Sequence, residues 1–213
     1  MTDLVAERLH AVHERIRAAG GEGVRVLPVT KTFPVEACRA ALAAGCEAVG
    51  ENYAQEVVAK MAGLEDRIPV HFIGQLQTNK VRMLVPYVTV FETVDRASLA
   101  DEIARRAPGA RVLLQVAASA EPGKGGCPPD AVAALAEHAT GAGLVVEGLM
   151  TVGPTAGGPE AARAGFREVR ALCTRLGLAV CSMGMSDDLE VAVQEGSTQV
   201  RIGSALFGSR PPR

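Results

Sequence analysis

The chain has 213 residues, 48% of them hydrophobic, which is enough apolar material for one domain spanning 1–213 with a sizeable core. Its 22 basic residues stand against 24 acidic ones, a formal net charge of -2 with no basic half, which argues against a nucleic-acid surface or a polybasic membrane patch. Aromatic content is 3% without Trp, so stacking platforms are not expected, and no apolar stretch has the length of a membrane span or a secretory signal.

The first segment, MTDLVAERLHAVHERI, reads as an amphipathic helix with Leu4, Leu9, Val12 and Ile16 on one stripe and Gly20-Gly21 ending it. An alternating rhythm follows. Strands are predicted over Val24–Val29, Ala48–Gly50, Val70–Gly74, Val88–Thr93, Ala110–Val116, Val145–Leu149, Ala179–Met183 and Gln199–Gly203. Helices are predicted over Pro34–Ala44, Tyr53–Met61, Asn79–Leu84, Ser98–Arg106, Pro129–Thr140, Pro159–Leu176 and Asp187–Gln194. Strands that are apolar at successive positions suit a parallel sheet covered on both faces. Eight of them match a (β/α)8 TIM barrel with an extra N-terminal helix, at the short end of that fold's range of roughly 200 residues and more. An open doubly wound sheet would show the same alternation. The odd number of cysteines, five without a CxxC pair, reads as reduced thiols in a cytoplasmic protein.

Lys31 lies one residue past the apolar run VLPV, where a βα loop would open onto the ligand-binding end of a barrel. Two readings stand: a solvated lysine, or an amine whose surroundings favour its neutral form for attack on an aldehyde. Asn52, in GENYAQE, is either a ligand contact or a helix cap. His71 sits inside an apolar strand and reads as structural, with Thr78 or Asn79 capping the helix beyond it. No His, Cys and Asp residues cluster with metal-ligand spacing.

Near the C-terminus, SMGMSDD follows one strand and GSTQVRIGSALFG carries the next. Small residues admit close approach of a phosphate, and the loops after strands seven and eight frequently bind one in barrels. Ser186, Gly203 and Ser204 are therefore either a phosphate cradle or plain turn and cap residues. Arg201, in the body of the last strand, needs a partner for its buried charge.

Seven motifs in order, VTKTFP, GENYAQE, HFIGQLQTNK, SAEPGKGG, GLMTVGP, SMGMSDD and GSTQVRIGSALFG, resemble the pyridoxal phosphate homeostasis proteins, related in fold to the barrel domain of alanine racemase. The resemblance implies pyridoxal 5'-phosphate (PLP) as cofactor, held as a Schiff base on Lys31. It implies Asn52 near the ring, Met183 lining the pocket, Arg201 facing the pyridine nitrogen, and Ser186, Gly203 and Ser204 on the phosphate, with Ser197 and Thr198 close to that corner. One departure is visible: Ala117 stands where the family commonly carries Asn.

The family implies a role in intracellular vitamin B6 and amino-acid balance without catalytic turnover, in a monomer rather than a dimer, with PLP-dependent apo-enzymes as candidate recipients of the cofactor. Two alternatives remain. A PLP-dependent racemase or related enzyme would need a second acid/base opposite Lys31. A barrel binding another phosphometabolite non-covalently would keep the phosphate corner and give Lys31 no role.

Overall fold

The computed structural model describes residues 2–119, 121 and 124–209. Eight parallel strands form one sheet: β1 (Arg25–Pro28), β2 (Val49–Glu51), β3 (Val70–Phe72), β4 (Val88–Val94), β5 (Arg111–Gln115), β6 (Val145–Met150), β7 (Val180–Ser182) and β8 (Gln199–Ile202). Each overlaps its predicted segment. Between consecutive strands run α2 (Val35–Ala43), α3 (Ala54–Met61), α4 (Val81–Leu84), α5 (Ala97–Arg106), α6 (Val132–Gly141), α7 (Arg163–Arg175) and α8 (Leu189–Gln194). Before them lies α1 (Thr2–Ala18), and after β8 comes the one-turn α9 (Ser204–Phe207).

The strands pair in the order β1-β8-β7-β6-β5-β4-β3-β2. The remaining seam is closed by a parallel bridge between Val29 and Gly50, with the Thr30 N–H donating to the Gly50 carbonyl at 3.0 Å. That closure decides for the barrel over the open doubly wound sheet.

Alternation along each strand divides the side chains into two layers. Outward residues such as Val49, Val70, Phe72, Phe91, Val112, Leu114 and Leu149 pack with helix residues such as Val57, Leu99, Ile103 and Phe166 in the main core. Inward, Val90, Leu113 and Met150 form a small apolar cluster. The rest of the barrel interior that bears on the site is polar.

Helix α1 lies outside the βα repeat and packs Leu9, Val12 and Ile16 against Leu189, Val193 and Leu206. Its buried stripe is Val5, Leu9, Val12 and Ile16, whereas Leu4 is exposed; the predicted stripe began one residue early, about 100° off the packed face. Arg8 Nη1 donates to the Leu206 carbonyl at 3.0 Å, and Arg15 forks onto Glu190 at 2.7 and 3.0 Å while Nη2 donates to the Ser186 carbonyl at 2.9 Å. The helix thus fastens the loop that carries Ser186 and the short helix that begins at Ser204. Helix α9 was not predicted, because SALF is too short to show a period.

At Gly148 β6 lies close against β7: an added Cβ would stand 1.9 Å from the Val180 carbonyl oxygen. That obstacle is main chain and cannot rotate away. Gly148→Ala is expected to destabilise the protein by about 1–3 kcal/mol, read as a lower denaturant midpoint; an unchanged midpoint would contradict this packing.

Candidate functional site

Lys31 occupies the corner of a turn that leaves β1 at the carboxyl end of the barrel. The Phe33 N–H donates to the Thr30 carbonyl at 3.1 Å, closing the turn. Thr32 has φ 69°, the one positive φ at a non-glycine position among the described residues. Its N–H donates to Glu56 Oε2 at 2.8 Å. The Phe33 ring meets Phe207 of α9 at 5.3 Å between centroids, linking this turn to the loop after β8.

On one side β1 pairs with β8, Leu27 opposite Arg201, and the Val29 N–H donates to the Ile202 carbonyl at 2.8 Å. Gly203 follows, close to the Val29 carbonyl: a Cβ there would stand 3.4 Å from it. Ser204 Oγ reaches Ser186 Oγ at 3.3 Å, so two residues 18 apart in sequence present adjacent, exposed hydroxyls beside Gly203. Capping does not account for Ser186. It is Asp188 that precedes α8, and its Oδ1 accepts the Met185 N–H at 2.5 Å.

On the other side lies β2, which ends at Glu51 and is followed by Asn52. Helix α3 is preceded by Tyr53 without a side-chain cap bond, and Asn52 Oδ1 is buried with no protein partner. The cap reading therefore fails, and a donor from elsewhere is called for. Gly74 makes this fit: a Cβ there would lie 1.9 Å from the Asn52 carbonyl oxygen. Thr78 begins a one-turn 3-10 helix preceded by Gln77, again without a side-chain cap bond, so the expected capping by Thr78 or Asn79 is not found.

Beneath the mouth runs a polar network across the barrel. Glu92 Oε1 meets His71 Nδ1 at 2.6 Å and accepts from Gln199 Nε2 at 2.7 Å, while Glu92 Oε2 accepts from Ser182 Oγ at 2.8 Å. Arg201 Nη1 donates to the carbonyl and hydroxyl oxygens of Ser182 at 2.7 and 3.0 Å, and Nη2 to the Thr151 carbonyl at 2.7 Å. Burial pushes the Glu92 carboxyl upward, but the hydrogen bond and charge of His71, with Arg201 and Gln199, outweigh it and hold it below the usual carboxylate range. Burial lowers Arg201, opposed by the charges of Glu92 and Asp188. The structural reading of His71 agrees with this arrangement.

A second polar cluster lies behind Lys31, between strand and helix. Lys60 Nζ donates to the Thr30 carbonyl at 2.8 Å and to Glu51 Oε1 at 2.7 Å, which also accepts Thr30 Oγ1 at 2.6 Å. Burial pushes Glu51 up, and the hydrogen bonds of Lys60 and Thr30 pull it back only in part. Neither Glu92 nor this cluster was picked out from the sequence.

The remaining predicted residues divide. Ser197 Oγ ties the Met183 and Gln199 carbonyls at 2.8 and 2.9 Å, and Thr198 Oγ1 accepts the Cys181 N–H at 2.8 Å, so both brace the β7–β8 corner. Met183 is fully buried on the outward face, its Sδ 3.6 Å from Cys181 Sγ, in the core shared with Ala192; it brings main chain, not side chain, to the rim. Parity explains it: Ser182 points inward, so its neighbour points out. The Ala117 N–H donates to the Cys127 carbonyl at 2.9 Å, and Ser119 Oγ beyond it is buried without a partner. Of the SAEPGKGG loop, Ala120, Pro122 and Gly123 lie outside the described residues. A cavity of about 1120 Å³ opens at the opposite end, lined by His13, Arg25, Cys46 and His71 among others, and holds none of the residues converging on Lys31.

Among the described residues no group of three His, Cys, Asp or Glu is placed to hold a metal ion, and no helix is long and apolar enough to cross a membrane. The donor set at the mouth does suit an aldehyde-bearing phosphate ester. An amine sits at the corner, small residues and two hydroxyls lie on one flank, and an unpartnered amide oxygen lies on the other.

The family model "Alanine racemase, N-terminal domain" matches residues 5–211. The pyridoxal phosphate homeostasis protein of Pseudomonas aeruginosa is 42% identical over 221 residues, covering 97% of this chain and 96% of that one. Its counterpart in Aquifex aeolicus is 42% identical over 222 residues, covering 96% and 97%. Among solved structures, PipY of Synechococcus elongatus with PLP bound superposes with TM-score 0.83 at 32% identity, covering 96% of this chain and 100% of that one. An alanine racemase from Clostridium difficile has TM-score 0.73 at 15% identity over 97% of this chain and 58% of that one, a likeness of fold alone.

Glu92→Gln removes the charge on which His71, Gln199, Ser182 and Arg201 converge. At neutral pH it is expected to cost roughly 3–5 kcal/mol, the range for breaking a buried pair by removing one partner. Since the folded carboxyl titrates below its ordinary 4.5, its contribution is present above that value and is lost as pH falls through the folded value. Urea unfolding of wild type and variant across this acid range should therefore converge; a constant gap would contradict the role of the charge.

Proposed function

The chain belongs to the pyridoxal phosphate homeostasis protein family, and from that premise we propose that it binds PLP at the carboxyl mouth of the barrel, attached through Lys31. The observation that carries the reading is the convergence on one turn: Lys31 stands between β8, with Arg201, Gly203 and Ser204, and β2, with Asn52 and its unpartnered amide oxygen just beyond it. The PLP-bound relative supports the same cofactor.

When bound, the cofactor supplies an aldehyde for covalent attachment and a ring that withdraws electrons. Lys31 supplies the amine that would hold the aldehyde. Ser186, Ser204 and the main chain at Gly203 would hold the phosphate, and Asn52 would contact the ring. Arg201 would be the cation toward the ring nitrogen, where it would disfavour a proton and so weaken the ring as an electron sink. Its network partners keep that cation in place. Met183 contributes only main chain.

We read the protein as a cofactor carrier rather than an enzyme. A racemase needs a second acid/base facing Lys31 across the substrate. Tyr87 precedes β4 and therefore lies at the amino end of the barrel, away from the mouth. Tyr53, 38% exposed, follows Asn52 at the mouth and is the residue an enzymatic reading would have to recruit. A cytoplasmic monomer that passes its cofactor to PLP-dependent apo-enzymes completes the proposal; the five unpaired cysteines fit a reducing compartment.

Protein incubated with PLP is expected to turn yellow and, after borohydride reduction, to carry the cofactor's mass on the peptide containing Lys31. Lys31→Ala should do neither. A colourless wild type of unmodified mass would sink the proposal in favour of non-covalent phosphometabolite binding. Ser186→Ala should keep the fold and lose about 1–3 kcal/mol of PLP affinity in equilibrium dialysis, the cost of an unmatched polar group.

A steady-state screen of PLP-saturated protein against L- and D-amino acids, following racemisation, decarboxylation and transamination, should find no turnover above about 1 s⁻¹, the low end of typical enzymes. A faster rate abolished by Lys31→Ala would establish the enzymatic reading instead.

A further inference from the structure

Resting on Lys31 as the attachment point, we infer that Glu56 and Lys60, one turn apart on α3, are positioning residues that hold the Lys31 turn in a strained left-handed form. The turn from Thr30 to Phe33 places a positive φ at its third residue, a position that ordinarily calls for glycine. The residue there is Thr32, whose branched Cβ makes φ 69° costly. Such a conformation persists only where its surroundings over-determine it.

The over-determination is visible on both sides of Lys31. The peptide before it offers the Thr30 carbonyl, which accepts the turn's own hydrogen bond and Lys60 Nζ at 2.8 Å. The peptide after it offers the Thr32 N–H, which Glu56 Oε2 accepts at 2.8 Å. Lys60 is in turn fixed by Glu51 Oε1 at 2.7 Å and Glu56 Oε2 at 3.5 Å, and Glu51 by Thr30 Oγ1 at 2.6 Å. The set bears on the main chain flanking Lys31.

Its location makes a purely stabilising role a poor explanation. The Lys60 side chain is 10% exposed and that of Glu51 0%, in a layer otherwise built of Val49, Val57 and Phe72. A buried ion pair there gains little over an apolar pair of the same volume. It does supply what apolar residues cannot: a donor for one peptide and an acceptor for the next. The gain is an amine presented in one place before the cofactor arrives, so less ordering remains to be done on binding.

The test uses two backgrounds, Glu56→Ala at a partly exposed helix position and the double variant Glu51→Gln/Lys60→Met. The double variant removes both charges together so that neither is left buried alone. Each is made with and without Thr32→Gly, which adopts the left-handed turn freely. PLP affinity is measured by equilibrium dialysis, attachment by mass after borohydride, and amide exchange over residues 30–33 in cofactor-free protein.

Both backgrounds should bind PLP about ten-fold more weakly, the equivalent of ~1.4 kcal/mol, with faster exchange over the turn. Thr32→Gly should recover most of that affinity while changing the wild type by no more than about two-fold. Wild-type affinity and exchange in both backgrounds would overturn the inference, as would a loss that Thr32→Gly fails to relieve. A wild type that takes up no PLP overturns the attachment reading and this inference with it; normal uptake with an insensitive turn overturns this inference alone.

Discussion

A guanidinium buried in the interior of a barrel must be compensated, and much of the architecture of the site follows from how Arg201 is served. Two main-chain carbonyls and a serine take its donors, and the charge is balanced by Glu92, itself saturated by His71, Gln199 and Ser182. The residues come from β3, β4, β7 and β8, so the network can exist only in a closed barrel. The polar layer and the closure of the sheet require one another. Left half-satisfied, such a network would be worse than an apolar core.

The mouth of the barrel repeats this logic on the outer side of β1 and β2. There Glu51, Glu56 and Lys60 occupy ground that aliphatic side chains hold elsewhere in the same layer. Two buried charge systems thus flank the mouth, one around Arg201 and one behind Lys31. At the rim the hydroxyls of Ser186 and Ser204 meet each other at 3.3 Å, outside both networks.

Much of this was legible in the sequence, for reasons that can be traced. The β-branched runs bounded by Gly and Pro marked all eight strands, because central parallel strands leave little room for polar residues. Lys31, Asn52, Ser186, Gly203 and Ser204 were singled out at strand ends, each with a plain solvated, turn or cap reading beside it, and it was the resemblance that assigned them to a cofactor. Glu92 and Lys60 were not singled out. A glutamate in a strand or a lysine in a helix reads as solvated, and the partners that bury them are set by closure: Gln199 lies 107 residues from Glu92. The outward turn of the Met183 side chain follows from strand parity once Ser182 is placed inward, and that placement comes from its bonds to Glu92 and Arg201 rather than from the sequence.

Helix α1 has a consequence for how the protein is made. Its anchoring contacts span 171 to 198 residues, from Arg15 to Ser186 and Glu190 and from Arg8 to Leu206, and β1 pairs with β8 over a similar span. Contacts of such separation form late and slowly, since loop entropy is lost before they repay it. On the ribosome β1 can meet β2 early, through Val29 and Gly50, but its β8-facing edge and the α1 contacts to α8 and α9 must wait until those elements have emerged. The β8 side of the corner beside Lys31 therefore cannot be completed until the last strand has been synthesised.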